Sequence, residues 1–571
     1  MLITQYKFNK SYYANYIPTF NSGFTYEVVD DNIEGNIVTR SIYSDSLPTS
    51  ILFSDNGAES SRAKSISEVL YLNIENLTSF EDMFSVCTLL TYVNCSDWDT
   101  SKITNMEMTF FRCQALTSLD VSNWDVSSVT DMTSMFYKCR KLKTLDVSNW
   151  ITSNVINMVS MFDYCEMIND LDVSNWDVSN VANMSGMFLN CYALTSLDLS
   201  KWDVGKVENM DSMFSSCESL ISIGDTNNWD TSSVTNMTCM FDSCESMTEI
   251  CVSNWDTSNV TVLDYMFEYC YALTSLDVSN WNVSKIANLS CMFLKCTSLP
   301  SLDVSKWNTI SATDVQCMFS NCYELESIDV SNWNVENIVY FDCMFEYCYN
   351  LKSIGDLSKW KTNSAESFGC FILYCPLIES IGDLSRWNVE NCLNFESMFD
   401  GCVSLKNVNV SNWKLIDDTG MRYMFCDCES LESVKFNKWK LNDTMDTRNL
   451  FTPFDTEGCV NLTIVEMQDS DYSSINIIIE QLPDIQDRES GTFYISGVDD
   501  LSQVNVDAAA AKNWFVSTAA SGGGSGSGDS GAGDSGSDSD SKKYVCIMII
   551  NGKTCKIVAS KKVCKIVTSE K

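Results

Sequence analysis

Tryptophan returns along this chain at a fixed interval, and that interval restricts the fold to stacked, near-identical coils. Fourteen of the 15 tryptophans form one series: Trp98, Trp124, Trp150, Trp176, Trp202, Trp229, Trp255, Trp281, Trp307, Trp333, Trp360, Trp387, Trp413 and Trp439. The step is 26 residues, except for steps of 27 ending at Trp229, Trp360 and Trp387. In those three units the usual Leu-Asp before the tryptophan becomes Ile-Gly-Asp, as in Ile223-Gly224-Asp225, Ile354-Gly355-Asp356 and Ile381-Gly382-Asp383. One added glycine is what a bulge in stacked strands requires.

Inside one unit the apolar positions are Val129, Met132, Met135, Phe136, Cys139, Leu142, Leu145, Val147 and Trp150. Steps of three and four up to Cys139 predict a helical turn, and the alternation Leu145, Asp146, Val147 predicts a short strand. Asp131, Asn157, Asn183, Asn209 and Asn236 open the helical part, where a side-chain oxygen can cap free amides. The core is read from Trp124, Trp150 and Trp176 with Phe136, Cys139, Phe162 and Cys165. A single coil cannot bury both its faces, so neighbours must stack, at roughly 4.8 Å per strand spacing, into a curved rod.

The repeat covers about residues 65–470 of 571, and both ends deviate from it as caps do. Residues 1–64 read as a small β module, with Phe24 to Val29 and Ile37 to Tyr43 flanking Asp30 to Asn36 as a hairpin. The module serves either as a cap on the first coil or as a docking element. Residues 471–519 read as an α/β cap: helix over Ile475 to Leu482, strand over Thr492 to Ile495, and Trp514 outside the series. Residues 520–541, almost entirely Gly, Ser, Ala and Asp, form a flexible linker. The tail, 542–571, carries eight lysines against one glutamate, hence +7, while the whole chain is −39 and the remainder −46. Strands are expected there over Tyr544 to Ile550, Lys556 to Val558 and Val563 to Val567, around a turn at Asn551-Gly552.

This charge makes a nucleic-acid backbone an unsuitable partner, because such binding needs Lys and Arg on the phosphates. The chain has no histidine, which removes Ser-His and Cys-His nucleophile pairs and imidazole metal ligands. No secretory signal opens the sequence and no apolar run is long enough for a spanning helix. No membrane insertion is therefore expected.

Fourteen of the 27 cysteines occupy one repeat position, Cys87, Cys113 and Cys139 through Cys402 and Cys428, and read as small buried hydrophobes. A second set precedes Met-Phe: Cys239, Cys291, Cys317 and Cys343, with Cys370 alongside. With a core cysteine it makes C-x₄-C, as in Cys291 and Cys296, which on a helix is about 140° apart and shares no face. Without histidine or a clean C-x₂-C, no metal or cofactor is expected. Members of the outer set lie within disulfide reach across coils; the odd total and missing secretion signal favour reduced thiols.

The candidate contact surface is a ladder of aspartates four residues before tryptophan: Asp120, Asp146, Asp172, Asp198, Asp225, Asp277, Asp303, Asp329, Asp356 and Asp383. Outward-facing neighbours about 4.8 Å apart repel by roughly 0.9 kcal/mol even in water. Two things can offset that: an Asx-type turn within Asp-Val-Ser-x-Trp, or a cation or basic partner. A second position, just after tryptophan, drifts from Asp99, Asp125 and Asp177 to Asn282 and Asn308 and then to Lys361, Lys414 and Lys440. Tyrosines such as Tyr137, Tyr164, Tyr269 and Tyr347 cluster near the helical side.

The string running Met135-Phe136, Cys139, Leu142, Leu145 to Trp150, repeated at Met187-Phe188, Cys191, Leu194 and Leu197 to Trp202, resembles the repeat of BspA-like leucine-rich-repeat surface proteins. It is similar also to arrays encoded by bacteriophages. The resemblance implies an α/β repeat solenoid of leucine-rich-repeat-like coils and a non-catalytic adhesion role. The expected partner is a protein or glycan receptor, with the chain on a virion surface or cell surface; a cytoplasmic interaction scaffold is the alternative. The basic tail is expected to dock onto an acidic assembly partner. No catalytic residues are expected.

Overall fold

The computed structural model describes residues 1–54, 63–452, 458–498 and 501–518, together with the backbone of the strands Tyr544–Ile550 and Lys553–Ala559. The expected linker, the turn at Asn551-Gly552 and the strand over Val563 to Val567 lie outside these residues. The chain divides into two compact units, Met1–Leu325 and Glu326–Lys571.

Unit one begins with a five-stranded sheet in the order Glu27–Glu34, Ile37–Tyr43, Leu2–Asn9, Ile66–Leu72, Tyr92–Val93. The first two strands form the expected hairpin with a shifted first strand: it runs over Glu27–Glu34 and not Phe24 to Val29, so most of the expected connection Asp30 to Asn36 is paired strand and the chain turns at Gly35 and Asn36, with Glu34 opposite Ile37. Ile66–Leu72 runs antiparallel to Leu2–Asn9 and parallel to Tyr92–Val93, so this strand hands the antiparallel module over to the parallel coils. Beneath it Tyr6, Phe8, Tyr16 and Phe53 are fully buried, and Phe53 stacks on Phe84 of the first coil at 5.1 Å. Burying these rings covers the apolar end that an open solenoid would expose to water.

Both units contain a repeat solenoid, but among the described residues its coils hold no α-helix, only the short 3-10 turns Leu357–Lys359 and Leu384–Arg386. Among the described residues the α-helices are Tyr472–Gln481 and Val506–Ala511, both in the C-terminal cap. The segment expected to be helical, Val129 to Cys139, alternates two kinds of hydrogen bond instead. Met132, Ser134, Phe136 and Lys138 donate to carbonyls of the next coil at 3.1, 2.8, 2.9 and 2.7 Å. Between them Met135, Tyr137 and Cys139 donate to the carbonyl three residues back, at 3.2, 3.1 and 3.0 Å. Tight turns closed at i−3 give apolar steps of three and four just as a helix does, which is why the spacing pointed the wrong way. The geometry needs left-handed backbone at Ser134 (φ 52°) and Lys138 (φ 57°), and equivalent residues in other coils share it. Each such residue costs roughly 1–2 kcal/mol, and the amide bonds between coils hold it in place.

The strands in most coils reduce to single bridges. Ser79, Asn105, Asp131, Asn157, Asn183, Asn209, Asn236 and Val262 form one parallel column in unit one; Tyr340, Ser367, Asn394, Gly420 and Asp446 form its counterpart in unit two. Beyond the parallel pair of Ile66–Leu72 with Tyr92–Val93 in unit one, pairing among the described residues widens toward the end of unit two. There Asn407–Asn409, Ser433–Lys435, Ile464–Gln468, Gly491–Ser496 and Trp514–Ser517 make a parallel sheet, extended antiparallel by Tyr544–Ile550 and Lys553–Ala559. Trp514 is 2% exposed and its indole N–H donates to the Pro483 carbonyl at 2.9 Å, fastening the cap.

Three side-chain columns fill the coils. Trp124, Trp150 and Trp176 stack nearly flat on one another, 6.4 and 6.0 Å apart. Each indole N–H donates to a carbonyl of the preceding coil, Trp150 to Val121 at 3.2 Å and Trp176 to Val147 at 3.0 Å. Phe136 and Phe162 stack at 5.5 Å. The thiols of Cys139 and Cys165 donate to the carbonyls of Phe110 and Phe136 at 3.2 and 3.3 Å. A cysteine fits there because it is small, apolar and still able to satisfy a buried carbonyl.

Candidate functional site

The aspartate ladder is exposed at every position expected from the sequence. Each carboxylate is held by its own turn. Asp146 Oδ1 accepts from the Ser148 amide and hydroxyl at 3.2 and 2.7 Å; Asp172 does so from Ser174 at 3.0 and 2.7 Å. Asp120, Asp198, Asp277 and Asp303 repeat the pair of bonds, and Asp225, Asp329, Asp356 and Asp383 keep the amide bond. The Asx turn therefore offsets the mutual repulsion of the ladder. At Asp172, Asp198 and Asp303 the serine hydroxyl, and then the serine amide, hold the carboxyl below its ordinary range.

Two further columns are built alike. Asp99, Asp125 and Asp177 after tryptophan accept the amides of Ser101, Ser127 and Ser179, and Asn282 and Asn308 keep that turn after the charge is gone. Asp131, Asn183, Asn209 and Asn236, expected as helix caps, accept the amide two residues on at 2.8 to 3.0 Å and so are Asx turns as well. In unit two, Lys414 reaches Glu390 at 2.5 Å and Lys406 reaches Glu379 at 2.6 Å. These exposed ion pairs link coils, and such pairs contribute little, about 0–1 kcal/mol each.

The ladder lines a groove. In unit one a depression of about 610 Å³ crosses four coils and is bounded by Tyr92, Ser118, Asp120, Thr144, Asp146, Asp170 and Asp172. It joins Asp120, Asp146 and Asp172 into one anionic, hydroxyl-rich strip. Asp198, Asp277 and Asp303 lie outside it in the same unit, and Asp329 belongs to the other unit.

The core markers Trp124, Trp150, Trp176, Phe136, Cys139, Phe162 and Cys165 are 0–3% exposed. Burial pushes the Cys139 and Cys165 thiols well up, so they are poor nucleophiles. The outer cysteines are half-buried and sit at the left-handed turn position: Cys239, Cys291, Cys317, Cys343 and Cys370 have φ of 53 to 56°. The thiols of Cys291 and Cys317 hydrogen-bond each other, as do those of Cys343 and Cys370. The second left-handed position carries Tyr164, Tyr269, Tyr347 and Lys138. Lys138 lies over the rings of Tyr137 and Tyr164, at 4.9 and 4.6 Å.

A set of buried and half-buried acids on this turn side was not anticipated. Asp163 is 4% exposed, and burial lifts its carboxyl to about 6 even though Asn190 donates to it. Burial and then the Asp242 charge lift Glu268 to about 7. Asp163, Asp242, Glu268 and Asp400 all follow Met-Phe directly, and that shared offset from a core phenylalanine was the available signal.

The family described as "Mycoplasma protein of unknown function, DUF285" matches residues 56–170, 139–223, 219–327, 273–373 and 373–457. No curated protein matches the chain.

Proposed function

The chain belongs to that DUF285 family, the BspA-like repeat proteins, and on this premise we propose that it is a non-enzymatic recognition protein. It presents the polar strip along Asp120, Asp146 and Asp172 to a protein or glycan receptor, from a virion or a cell surface. The observation that carries this reading is the regularity of the ladder. Oδ1 of Asp120, Asp146 and Asp172 closes the same turn in successive coils and all three residues line one groove, so carboxylates recur at coil spacing on a backbone fixed by its neighbours. Such a row suits hydroxyl or ammonium donors on an extended ligand, and pre-ordering it removes much of the entropic cost of binding. A non-catalytic role is supported by the absence of histidine from the sequence and by the openness of the groove, which does not exclude water from a reacting group.

The test is the triple variant Asp120→Asn/Asp146→Asn/Asp172→Asn, assayed for binding to host cells and to arrayed glycans. Asparagine keeps the side-chain oxygen that accepts the serine amide, so the melting temperature should hold while binding falls by tenfold or more, about 1.4 kcal/mol. Undiminished binding by the folded variant would remove the ladder from the contact surface.

A further inference from the structure

Asp400, Cys426 and Asp427 converge in unit two in a way no other acid among the described residues repeats. The repeat step brings them together: Met398-Phe399-Asp400 and Met424-Phe425-Cys426 are 26 residues apart, so Cys426 occupies in its coil the place of Asp400 in the one before. The Gly401 amide donates to the Cys426 carbonyl at 2.9 Å and locks that register. One donor atom from each of the three side chains lies within 4.8 Å of the others.

Asp163 receives the Asn190 amide, and Lys138 acts on it. Asp242 receives the hydroxyls of Ser215 and Ser243 at 3.0 and 2.9 Å. Asp400 has only the Ser397 hydroxyl at 3.4 Å, on Oδ2, while its Oδ1 is buried with no hydrogen-bond partner among the described residues. Beside it Cys426 is 2% exposed, and the Asp427 charge adds to the burial that pushes Asp400 up to about 7. A buried acceptor without a donor, next to a second carboxylate, is an arrangement that costs free energy unless a cation completes it.

We propose that Asp400, Cys426 and Asp427 bind one divalent cation of the zinc class, through one thiolate and two carboxylates. Zinc takes sulfur at about 2.3 Å and carboxylate oxygen at about 2.0–2.2 Å in a tetrahedron, which places ligand atoms roughly 3.4–3.7 Å apart. The donors close by at most about 1.5 Å pairwise to reach that spacing. Calcium is unsuited, because it needs six to eight oxygens and has little affinity for a thiolate. Binding expels the Cys426 thiol proton to solvent and leaves a fourth position for water. The C-x₄-C pattern that argued against zinc concerned cysteines within one coil, whereas this donor set spans two.

The experiment uses the full chain, stripped with chelator and then titrated with Zn²⁺ by calorimetry and with Cd²⁺ by near-ultraviolet absorption. One equivalent of Zn²⁺ should bind and raise the melting temperature, and Cd²⁺ should produce a thiolate-to-metal charge-transfer band. Cys426→Ser should abolish the band. Asp400→Asn, which relieves repulsion and keeps the thiol, should fold at least as well as the parent and weaken Zn²⁺ at least about tenfold, since loss of outer-sphere partners alone costs 10–100-fold. A band that survives Cys426→Ser, Zn²⁺ affinity unchanged in Asp400→Asn, or displacement of Zn²⁺ by equimolar Ca²⁺ would each overturn the proposal.

Discussion

Gly355 lies directly against Asp329 of the preceding coil, so that a Cβ on the glycine would stand 2.6 Å from Asp329 Oδ1 and 3.3 Å from the Ser331 amide nitrogen. Its φ of 85° is one that side-chain-bearing residues rarely adopt. Gly224 repeats the relationship over Asp198 at 2.9 Å, and Gly382 repeats it over Asp356. The longer coils therefore use their extra residue to step around the ladder below. Gly355→Ala should destabilise unit two by about 1–3 kcal/mol, from strain and the clash. Adding Asp329→Ala should recover part of that loss in a double-mutant cycle read by chemical denaturation; strict additivity would count against the clash.

The tryptophan column couples packing to a polar bond. Trp176→Phe removes one of two donors to the Val147 carbonyl, the Trp150 amide remaining at 3.1 Å, and leaves space beside Trp150, 6.0 Å away. A cost of about 2–4 kcal/mol is expected. A urea midpoint shift equivalent to under about 0.5 kcal/mol would show that the indole bond contributes nothing.

Glycine should be beneficial at the left-handed turn, contrary to its usual effect. Ser216 has φ 58°, and the equivalent residue two coils later in the same unit, Tyr269, has φ 57°. Ser216→Gly should be neutral or stabilise by up to about 1 kcal/mol, whereas Ser216→Val should destabilise by more than that. Thermal melts of the pair read the ordering directly, and a valine variant that melts above the glycine variant would contradict the turn geometry.

The buried acids impose a pH dependence opposite in sign to that of the ladder. Asp163 at about 6 and Glu268 and Asp400 at about 7 hold protons in the folded chain that the unfolded chain, with ordinary values of 3.8 and 4.5, gives up earlier. Their contribution is fully present below about pH 4 and is lost as pH rises through 6 to 7. Asp172, Asp198 and Asp303 are shifted down, so theirs is present above about pH 4 and lost below it. In chelator-treated buffer the melting temperature should be higher at pH 5.5 than at pH 8, by about 1 kcal/mol per buried acid after allowance for their partial exposure. Asp163→Asn with Glu268→Gln should flatten the difference; a curve rising from pH 5.5 to 8 would refute the assignment.

Thiol chemistry should divide by column. Burial pushes thiols up in both columns, Cys239 to about 12 as well as Cys139 and Cys165, but Cys239, Cys291, Cys317, Cys343 and Cys370 are half-buried and open to a reagent while the column through Cys139 and Cys165 is fully buried. An alkylating reagent followed by peptide mass spectrometry should label the outer set first, by at least about tenfold in rate. Equal labelling of both sets would mean that the coils open readily.

The periodic tryptophans, the Phe and Cys that accompany them and the three Ile-Gly-Asp insertions determined a stacked solenoid, its register and its buried face, because each depends on a residue type recurring at one interval. The N-terminal hairpin and the helix and strand of the C-terminal cap were legible for the same local reasons of alternation and capping. The backbone conformation inside each coil was not, since i−3 turns and a helix place apolar residues at the same steps and only the amides donated to the next coil, as from Ser134 to Val159, separate them. Nor was the meeting of Asp400 with Cys426 and Asp427 visible, because the two turns of that site are one coil apart in the chain and a donor set across coils has no spacing within either. Composition and period decide what must be buried; which polar groups then face one another is decided by the stacking.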